Sequence, residues 1–305
     1  MDKQVVEITK SKRHLCVHRG FMIVKDGKEE LARLPIDMIG VVLANSYGLT
    51  VSNKLLLSLG ENNIPFVICG KSHLPESVMW PISGNYRHAA CTDAQIKKAS
   101  LNKRIWKEII INKIKCQSAV LKSLNINNAR LDELAQKVKS ADNTNNEGLA
   151  AKYYWSRLFG SSFKRDKEQE GINSLLNYGY TILRSMTARS IMCCGLNPLL
   201  GIKHVNKLNP MRLADDIMEP YRPMVDQLVF YLVKENKLEI NKETKRALAG
   251  IHLLPMYTNN ISSTLGFSLQ SLTQSISKLY LGETDKLVFP SGIINNKYII
   301  EHLRH

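Results

Sequence analysis

The chain has 305 residues, of which 44% are hydrophobic, and it contains only 10 prolines and 17 glycines. This composition excludes a disordered or collagen-like polypeptide and predicts about two domains with hydrophobic cores. The 42 Lys and Arg residues exceed the 27 Asp and Glu residues, giving a formal charge of +15. Such an excess is expected of a protein that binds the phosphate backbone of nucleic acid.

The sequence argues against membrane insertion and secretion. No segment approaches the roughly 18 consecutive apolar residues that cross a bilayer. Asp2, Lys3 and Glu7 stand where a signal peptide would be apolar. The six cysteines include no Cys-x-x-Cys pair, which favours reduced thiols over a zinc ribbon or a disulfide framework. We therefore expect a cytoplasmic protein that does not associate with membranes.

The first 80 residues are rich in β-forming segments separated by turn residues, which predicts strands and tight turns. The predicted strands cover residues 5–8, 14–17, 20–24, 39–43 and 64–68, and one helix covers about 53–61. His14, Cys16 and His18 would share one strand face, but no fourth metal ligand is evident beside them. We interpret this region as a structural, β-rich domain.

The pattern changes after a polar loop at about residues 81–91, because apolar residues then recur at helical spacing. Helices are predicted at about 93–124, 128–140, 143–160, 171–196, 209–235, 242–253 and 262–281. The fold class is therefore α+β, with a small β-rich domain over residues 1–85 and a larger all-α domain over residues 86–305.

The first long predicted helix carries many basic residues, namely Lys97, Arg104, Lys107, Lys115 and Lys122. Two interpretations of this surface have equal support. It is either a solvated basic face or a face that follows the backbone of DNA.

Two carboxylates and a guanidinium lie close together in the segment from Asp216 to Pro223. At helical spacing Asp216, Glu219 and Arg222 fall on one face, which we expect to be accessible to substrate. An apolar stripe, formed by Leu213, Ile217, Tyr221, Met224 and Leu228, would lie opposite. Pro220 and Pro223 lack amide donors, which predicts local strain of the kind found at functional sites.

Glu147 and His204 are further candidates. Glu147 follows a polar run that is typical of a helix start. A carboxylate at such a position often only stabilises the helix through its favourable interaction with the helix dipole. His204 lies in a loop-like segment and would by itself be an ordinary loop histidine. As a set, two carboxylates and one imidazole suit a divalent ion, with the imidazole shifting preference from magnesium toward manganese. Such an ion polarises a scissile phosphate, and Lys203 and Arg222 are available to neutralise the developing charge.

Taken in order, these segments resemble the CRISPR-associated integrases of the Cas1 family. The resemblance extends over nearly the whole chain and includes residues 34–39, 48–52, 147–154, 177–180, 197–198, 204, 213–223 and 226. The segment Glu219-Pro220-Tyr221-Arg222-Pro223 is most similar to the versions that accompany type II systems.

The resemblance implies roles for individual residues. The metal ligands would be Glu147, His204 and Glu219, holding Mg²⁺ or Mn²⁺, with Asp216 as an additional catalytic acid one turn earlier. Residues whose positions imply contact with DNA are Lys203, Arg222, Tyr153 and Tyr180.

The resemblance also implies the architecture and the partners. The β-rich domain would be β-sandwich-like and mediate homodimerisation, and the helical domain would be catalytic. Two dimers would flank a dimer of a small ferredoxin-like partner in a heterohexamer that holds double-stranded prespacer DNA. The type II effector nuclease would be a further partner in the bacterial cytoplasm.

The implied reaction is transesterification, in which a prespacer 3′-hydroxyl attacks a phosphodiester at the boundary of a CRISPR repeat and inserts a spacer. Two alternatives stay open from the residues alone. One is a metal-dependent nuclease for branched or damaged DNA that uses the same side chains with water as nucleophile. The other is a non-catalytic DNA-binding scaffold.

Overall fold

A computed structural model describes residues 4–70, 75–79, 81, 88–142 and 144–304. The chain divides into two compact units, Met1–Arg87 and His88–His305. The predicted boundary loop lies mostly at residues 82–87, outside the described residues. Among the described residues no helix is both long and apolar enough to cross a membrane.

The first unit consists of two four-stranded sheets and one helix, as far as its residues are described. Its elements are β1 Gln4–Ile8, β2 Arg13–His18, β3 Phe21–Asp26, β4 Glu29–Pro35, β5 Ile39–Ala44, β6 Thr50–Val51, α1 Asn53–Glu61, β7 Phe66–Cys69 and β8 Pro75–Met79. One sheet has the order β1-β5-β7-β8 and the other β4-β3-β2-β6.

Both sheets and α1 contribute to one hydrophobic core. Leu15 and Met22 come from the second sheet, Val42 from the first and Leu55 from α1, and all four are fully buried. The β-rich N-terminal region is thus confirmed. Strand β4, Glu29–Pro35, was missed because three of its seven residues are charged and six of the seven are exposed, as is common on the edge of a sheet.

The second unit is helical. Its helices are α2 His88–Lys97, α3 Ala99–Ser123, α4 Ala129–Lys137, α5 Asn146–Leu158, α6 Ile172–Cys193, α7 Arg212–Ile217, α8 Arg222–Lys234, α9 Lys242–Ala249, α10 Leu265–Leu281 and α11 Asn296–Arg304, and a hairpin is formed by β9 Pro255–Thr258 and β10 Ile261–Thr264. Helix α11 was not predicted, and the hairpin departs from an all-α domain.

Three predicted helix boundaries were wrong for local reasons. The helix expected over 93–124 is divided at Lys98, whose ψ of 54° is not helical. The helix expected over 209–235 is interrupted by a 3₁₀ turn at Glu219–Tyr221. Helix α10 begins at Leu265 rather than 262 because the preceding residues pair with β9, and the Thr264 side chain caps it by accepting the Phe267 N–H.

Packing around α3 brings the site together. Helix α3 packs against α4, α5, the 3₁₀ turn and α8. Helix α6 packs against α8 so closely that a Cβ on Gly179 would lie 2.4 Å from Val225 Cγ1. Three segments far apart in sequence therefore meet beside the middle of α3.

Candidate active site

The acidic segment is not a continuous helix, and its carboxylates are buried. Asp216 is 0% exposed to solvent and Glu219 is 4% exposed. The prediction that Asp216, Glu219 and Arg222 share a helix face accessible to substrate is therefore wrong. Pro220 lies at the start of the 3₁₀ turn, where it fits because its missing N–H is not required. The turn directs Glu219 toward α3 and Asp216 toward the loop that contains His204.

Glu147 lies in the first turn of α5, and its backbone is held by a residue upstream. Asp142 accepts the N–H of Glu147 at 2.8 Å and the N–H of Asn146 at 3.0 Å. Asn145 is left-handed, with φ of 54°, and its side chain accepts the N–H of Gly148. These contacts satisfy amides that the helix leaves unpaired and fix where the Glu147 carboxylate points.

Lys113 on α3 joins the two glutamates. Its Nζ lies 2.6 Å from Glu147 Oε1 and 2.6 Å from Glu219 Oε2. The other oxygen of Glu219 accepts from Arg222 Nη1 at 2.8 Å. Burial alone would raise the pKa of Glu219, but the charges of Arg222 and Lys113 lower that pKa to about 2. Burial alone would lower the pKa of Lys113, but the negative charges of Glu219 and Glu147 have the larger effect, so the pKa of Lys113 is raised. Glu219 and Lys113 are therefore both charged at neutral pH.

Asp216 holds the His204 loop. Its Oδ2 accepts the N–H groups of Ile202 at 2.6 Å and Lys203 at 3.1 Å, and its Oδ1 accepts the N–H of His204 at 3.3 Å. The His204 Nδ1 lies 2.7 Å from the same Oδ1. That hydrogen bond raises the pKa of His204. Asp216 thus contacts the backbone and the imidazole of the histidine loop. Its role as an additional catalytic acid stays a prediction.

Arg222 is held from its other side by an aromatic ring. Its guanidinium lies 4.2 Å from the centroid of the Tyr180 ring, a favourable cation–π distance. The Tyr180 hydroxyl donates to Asp226, which is buried. The prediction that Tyr180 contacts DNA is not supported, because the ring is 8% exposed and is covered by Arg222.

Two predicted DNA contacts lie nearer the surface. Lys203 is exposed in the His204 loop. Tyr153 is half-buried, donates its hydroxyl to the Asn127 carbonyl at 3.0 Å, and has Arg130 and Arg157 within 5.9 and 5.3 Å of its ring. Neither contact is tested by the structure, and both stay predictions.

The three predicted metal ligands are only partly assembled. Glu147 and Glu219 converge on one cation, the Lys113 ammonium. Among the described residues, however, no group of three or more His, Cys, Asp or Glu side chains stands at metal-binding spacing. The donor types do fit a divalent ion. Glu147 and Glu219 supply carboxylate oxygens. The Asp216 contact occupies His204 Nδ1, which leaves Nε2 as the ligating atom in the arrangement common to metal-bound histidines.

Comparisons with known proteins identify the family. The sequence profile of the family described as CRISPR associated protein Cas1 matches residues 6–262. A relative named CRISPR-associated endonuclease Cas1, from Neisseria meningitidis serogroup C (strain 8013), is 30% identical over 275 residues, covering 88% of each chain. The chain belongs to the Cas1 family. The type II subtype stays a prediction.

Solved structures with the same fold share a smaller fraction of identical residues with this chain. A casposase bound to an integration product superposes with a TM-score of 0.76 at 18% identity, covering 93% of this chain and 92% of that one. A chain of a Cas6-RT-Cas1–Cas2 complex superposes with a TM-score of 0.73 at 19% identity, covering 93% of this chain and 35% of that one. These likenesses confirm that this Cas1 protein has the family fold.

Sequence reasoning missed two residues of the Cas1 site. Lys113 follows Ile109 and Ile110 by one helical turn, so it lies beside the buried stripe of α3, and a lysine in that position is a recognisable signal because lysine is rarely buried without a partner. Asp142 anchors the start of α5 from five residues upstream of Glu147. No pattern in the sequence distinguishes it from an ordinary loop aspartate.

Proposed function

We propose that this protein is a metal-dependent DNA endonuclease and integrase of CRISPR adaptation. A 3′-hydroxyl of a double-stranded prespacer would attack a phosphodiester at the repeat boundary and insert the spacer, and hydrolysis would be the variant in which water attacks. The observation that carries the proposal is the convergence of Glu147 and Glu219, from separate elements, on one cation beside the His204 loop. Membership of the Cas1 family supports it.

Glu147, His204 and Glu219 would hold Mg²⁺ or Mn²⁺. When bound, the ion supplies Lewis-acid stabilisation of the phosphate and activation of the attacking hydroxyl. Arg222 keeps the Glu219 carboxylate ionised and oriented. Asp216 holds His204 with its Nδ1 protonated, since a carboxylate only accepts hydrogen bonds. Lys203 would neutralise charge on the phosphate, and the formal +15 would make DNA binding strongly dependent on salt.

The proposed partners follow from the relatives. The casposase relative is bound to an integration product, and another relative belongs to a complex whose name includes Cas2. We propose that this protein likewise binds double-stranded DNA, as a homodimer that joins a small ferredoxin-like partner in a heterohexamer. An interaction with the type II effector nuclease and a location in the bacterial cytoplasm are parts of the same proposal.

A strand-joining assay tests the function. The protein is incubated with its small partner, a duplex bearing free 3′-hydroxyls, a repeat-containing plasmid and Mg²⁺ or Mn²⁺, and joined products are separated on a gel. Glu219→Ala and Glu147→Ala should abolish joining while DNA binding is retained or tightened, because a negative charge near phosphate is removed. Glu243→Ala, which removes an exposed carboxylate on α9, is the matched control and should join normally.

The other outcomes separate the alternatives. Cleavage without joining would indicate a nuclease for branched or damaged DNA. Unchanged cellular function of both Ala variants would indicate a scaffold. His204→Ala should be partly rescued by manganese if the imidazole tunes the choice of metal, whereas an unaltered rate and metal preference would contradict a ligand role for His204.

A further inference from the structure

The Lys113 ammonium contacts the two carboxylates that are proposed to hold the ion. Its Nζ lies 2.6 Å from an oxygen of each proposed carboxylate ligand. A divalent ion that binds both oxygens would compete with the ammonium for them. The like charges of two cations held by the same pair of carboxylates also repel each other strongly.

The charges around the site are already balanced by protein groups. Two carboxylates, Glu147 and Glu219, face two cations, Lys113 and Arg222. The Lys113 side chain is 11% exposed and the Glu219 side chain 5%. A buried carboxylate without a counter-ion is costly, so the ammonium stabilises the fold when no ion is bound.

The length of the lysine side chain allows the exchange. Four methylene groups connect the ammonium to α3, and lysine has several rotatable bonds, unlike the rigid fork of arginine. Withdrawal of the ammonium from the two oxygens would use rotation about these side-chain bonds. Arg222 stays in place through Glu219 Oε1 and the Tyr180 ring, so one of the two cations can leave while the other remains.

We infer that Lys113 is a tethered cation that competes with the divalent ion, so that the metal enters the site by displacing the ammonium from Glu147 and Glu219. This inference rests on the proposed metal-dependent function. It assigns to Lys113 the control of metal affinity, a role that differs from ligation by the two glutamates.

Metal binding by variants at position 113 tests the inference. Mn²⁺ binding to the full-length protein is measured by electron paramagnetic resonance without DNA. Lys113→Gln removes the positive charge but keeps an N–H donor for the carboxylates. This variant should bind Mn²⁺ at least about tenfold more tightly than the wild type, because no ammonium group competes for the two carboxylates. Lys113→Arg keeps the charge and should bind no more tightly than the wild type. Lys115→Gln removes an exposed charge from the same helix and is the matched control for net charge.

A measurement on the unaltered protein covers the case in which Lys113→Gln does not fold. The rate at which an amine-reactive reagent modifies Lys113 is measured by mass spectrometry, with Mn²⁺ or with a chelator. Displacement should increase that rate several-fold when Mn²⁺ is present, whereas the rate at Lys115 should not change.

The results distinguish this inference from the function. Equal Mn²⁺ affinities for Lys113→Gln, Lys115→Gln and the wild type, or a Lys113 modification rate that Mn²⁺ leaves unchanged, would overturn the inference even if strand joining is observed. Tighter Mn²⁺ binding by Lys113→Gln in a protein that joins no DNA would support the inference and refute the integrase function alone.

Discussion

Replacing Asp216 by asparagine should destabilise the helical unit and release the His204 loop. The fully buried carboxylate accepts from three backbone N–H groups and from the His204 ring. An asparagine has nearly the same shape, but its NH₂ group cannot accept a hydrogen bond. Whichever way the amide is turned, two of the four donors would face another donor.

The cost follows from those two lost acceptors. Each buried donor left unsatisfied costs about 1–3 kcal/mol, and we therefore expect Asp216→Asn to lower the free energy of unfolding by about 3 kcal/mol. For a unit of roughly 200 residues, each kcal/mol corresponds to about 2–4 °C in the melting temperature. The midpoint should fall by roughly 6–12 °C in a scanning calorimetry experiment.

The neighbouring residue offers a matched control. Asp215 pairs with Arg184 at 2.7 Å, and both side chains are about one quarter exposed. Asp215→Asn should cost only about 1 kcal/mol, as expected for a solvated ion pair. Asp216→Asn should also lower the pKa of His204, measured by NMR titration of the imidazole, because the hydrogen bond that raises this pKa is lost. Equal melting temperatures for the two variants would refute the reasoning.

Three further predictions concern buried packing, protonation and DNA contact. Burial raises the pKa of Asp226 from 3.8 to about 7, so the folded state binds this proton more tightly than the unfolded state. The free energy of unfolding should therefore fall by roughly 4 kcal/mol as the pH rises from about 4 to about 7. Asp226→Asn should remove that dependence, and denaturant midpoints of both proteins at about pH 5 and about pH 8 would show it; the same slope in the variant would contradict the assignment. Gly179→Ala places a carbon 2.4 Å from Val225 Cγ1 and should cost about 2 kcal/mol by overpacking; Val225→Ala should restore part of the loss in the double variant, and simple additivity of the two costs would argue against the clash. Tyr153→Ala should weaken binding to DNA by about 1–2 kcal/mol, roughly tenfold, if a base stacks on the ring, while Tyr153→Phe should retain most of the affinity; fluorescence anisotropy with equal affinities for all three proteins would refute the contact.

The periodicity of the sequence predicted most of the secondary structure but not its interruptions. Apolar residues at alternating or helical spacing are enough to indicate strands and helices, because one face of each element is buried. The divided helix at Glu219–Tyr221 was missed, since local pattern alone does not show whether a proline ends a helix, kinks it or opens a 3₁₀ turn. The edge strand β4 was missed because its sequence shows no alternation of apolar and polar residues.

The sequence by itself determined the family, through Glu147, His204 and the segment around Glu219. It also determined that a β-rich region precedes a helical one and that the net charge is strongly positive. Only the tertiary structure decided which side chains meet. It turned Asp216 toward the His204 loop, covered Tyr180 with Arg222, and placed Lys113 between Glu147 and Glu219. The physical reason is that charged groups removed from water must find partners, and those partners come from α3, α5 and the 3₁₀ turn, which are distant in the chain and adjacent only after folding.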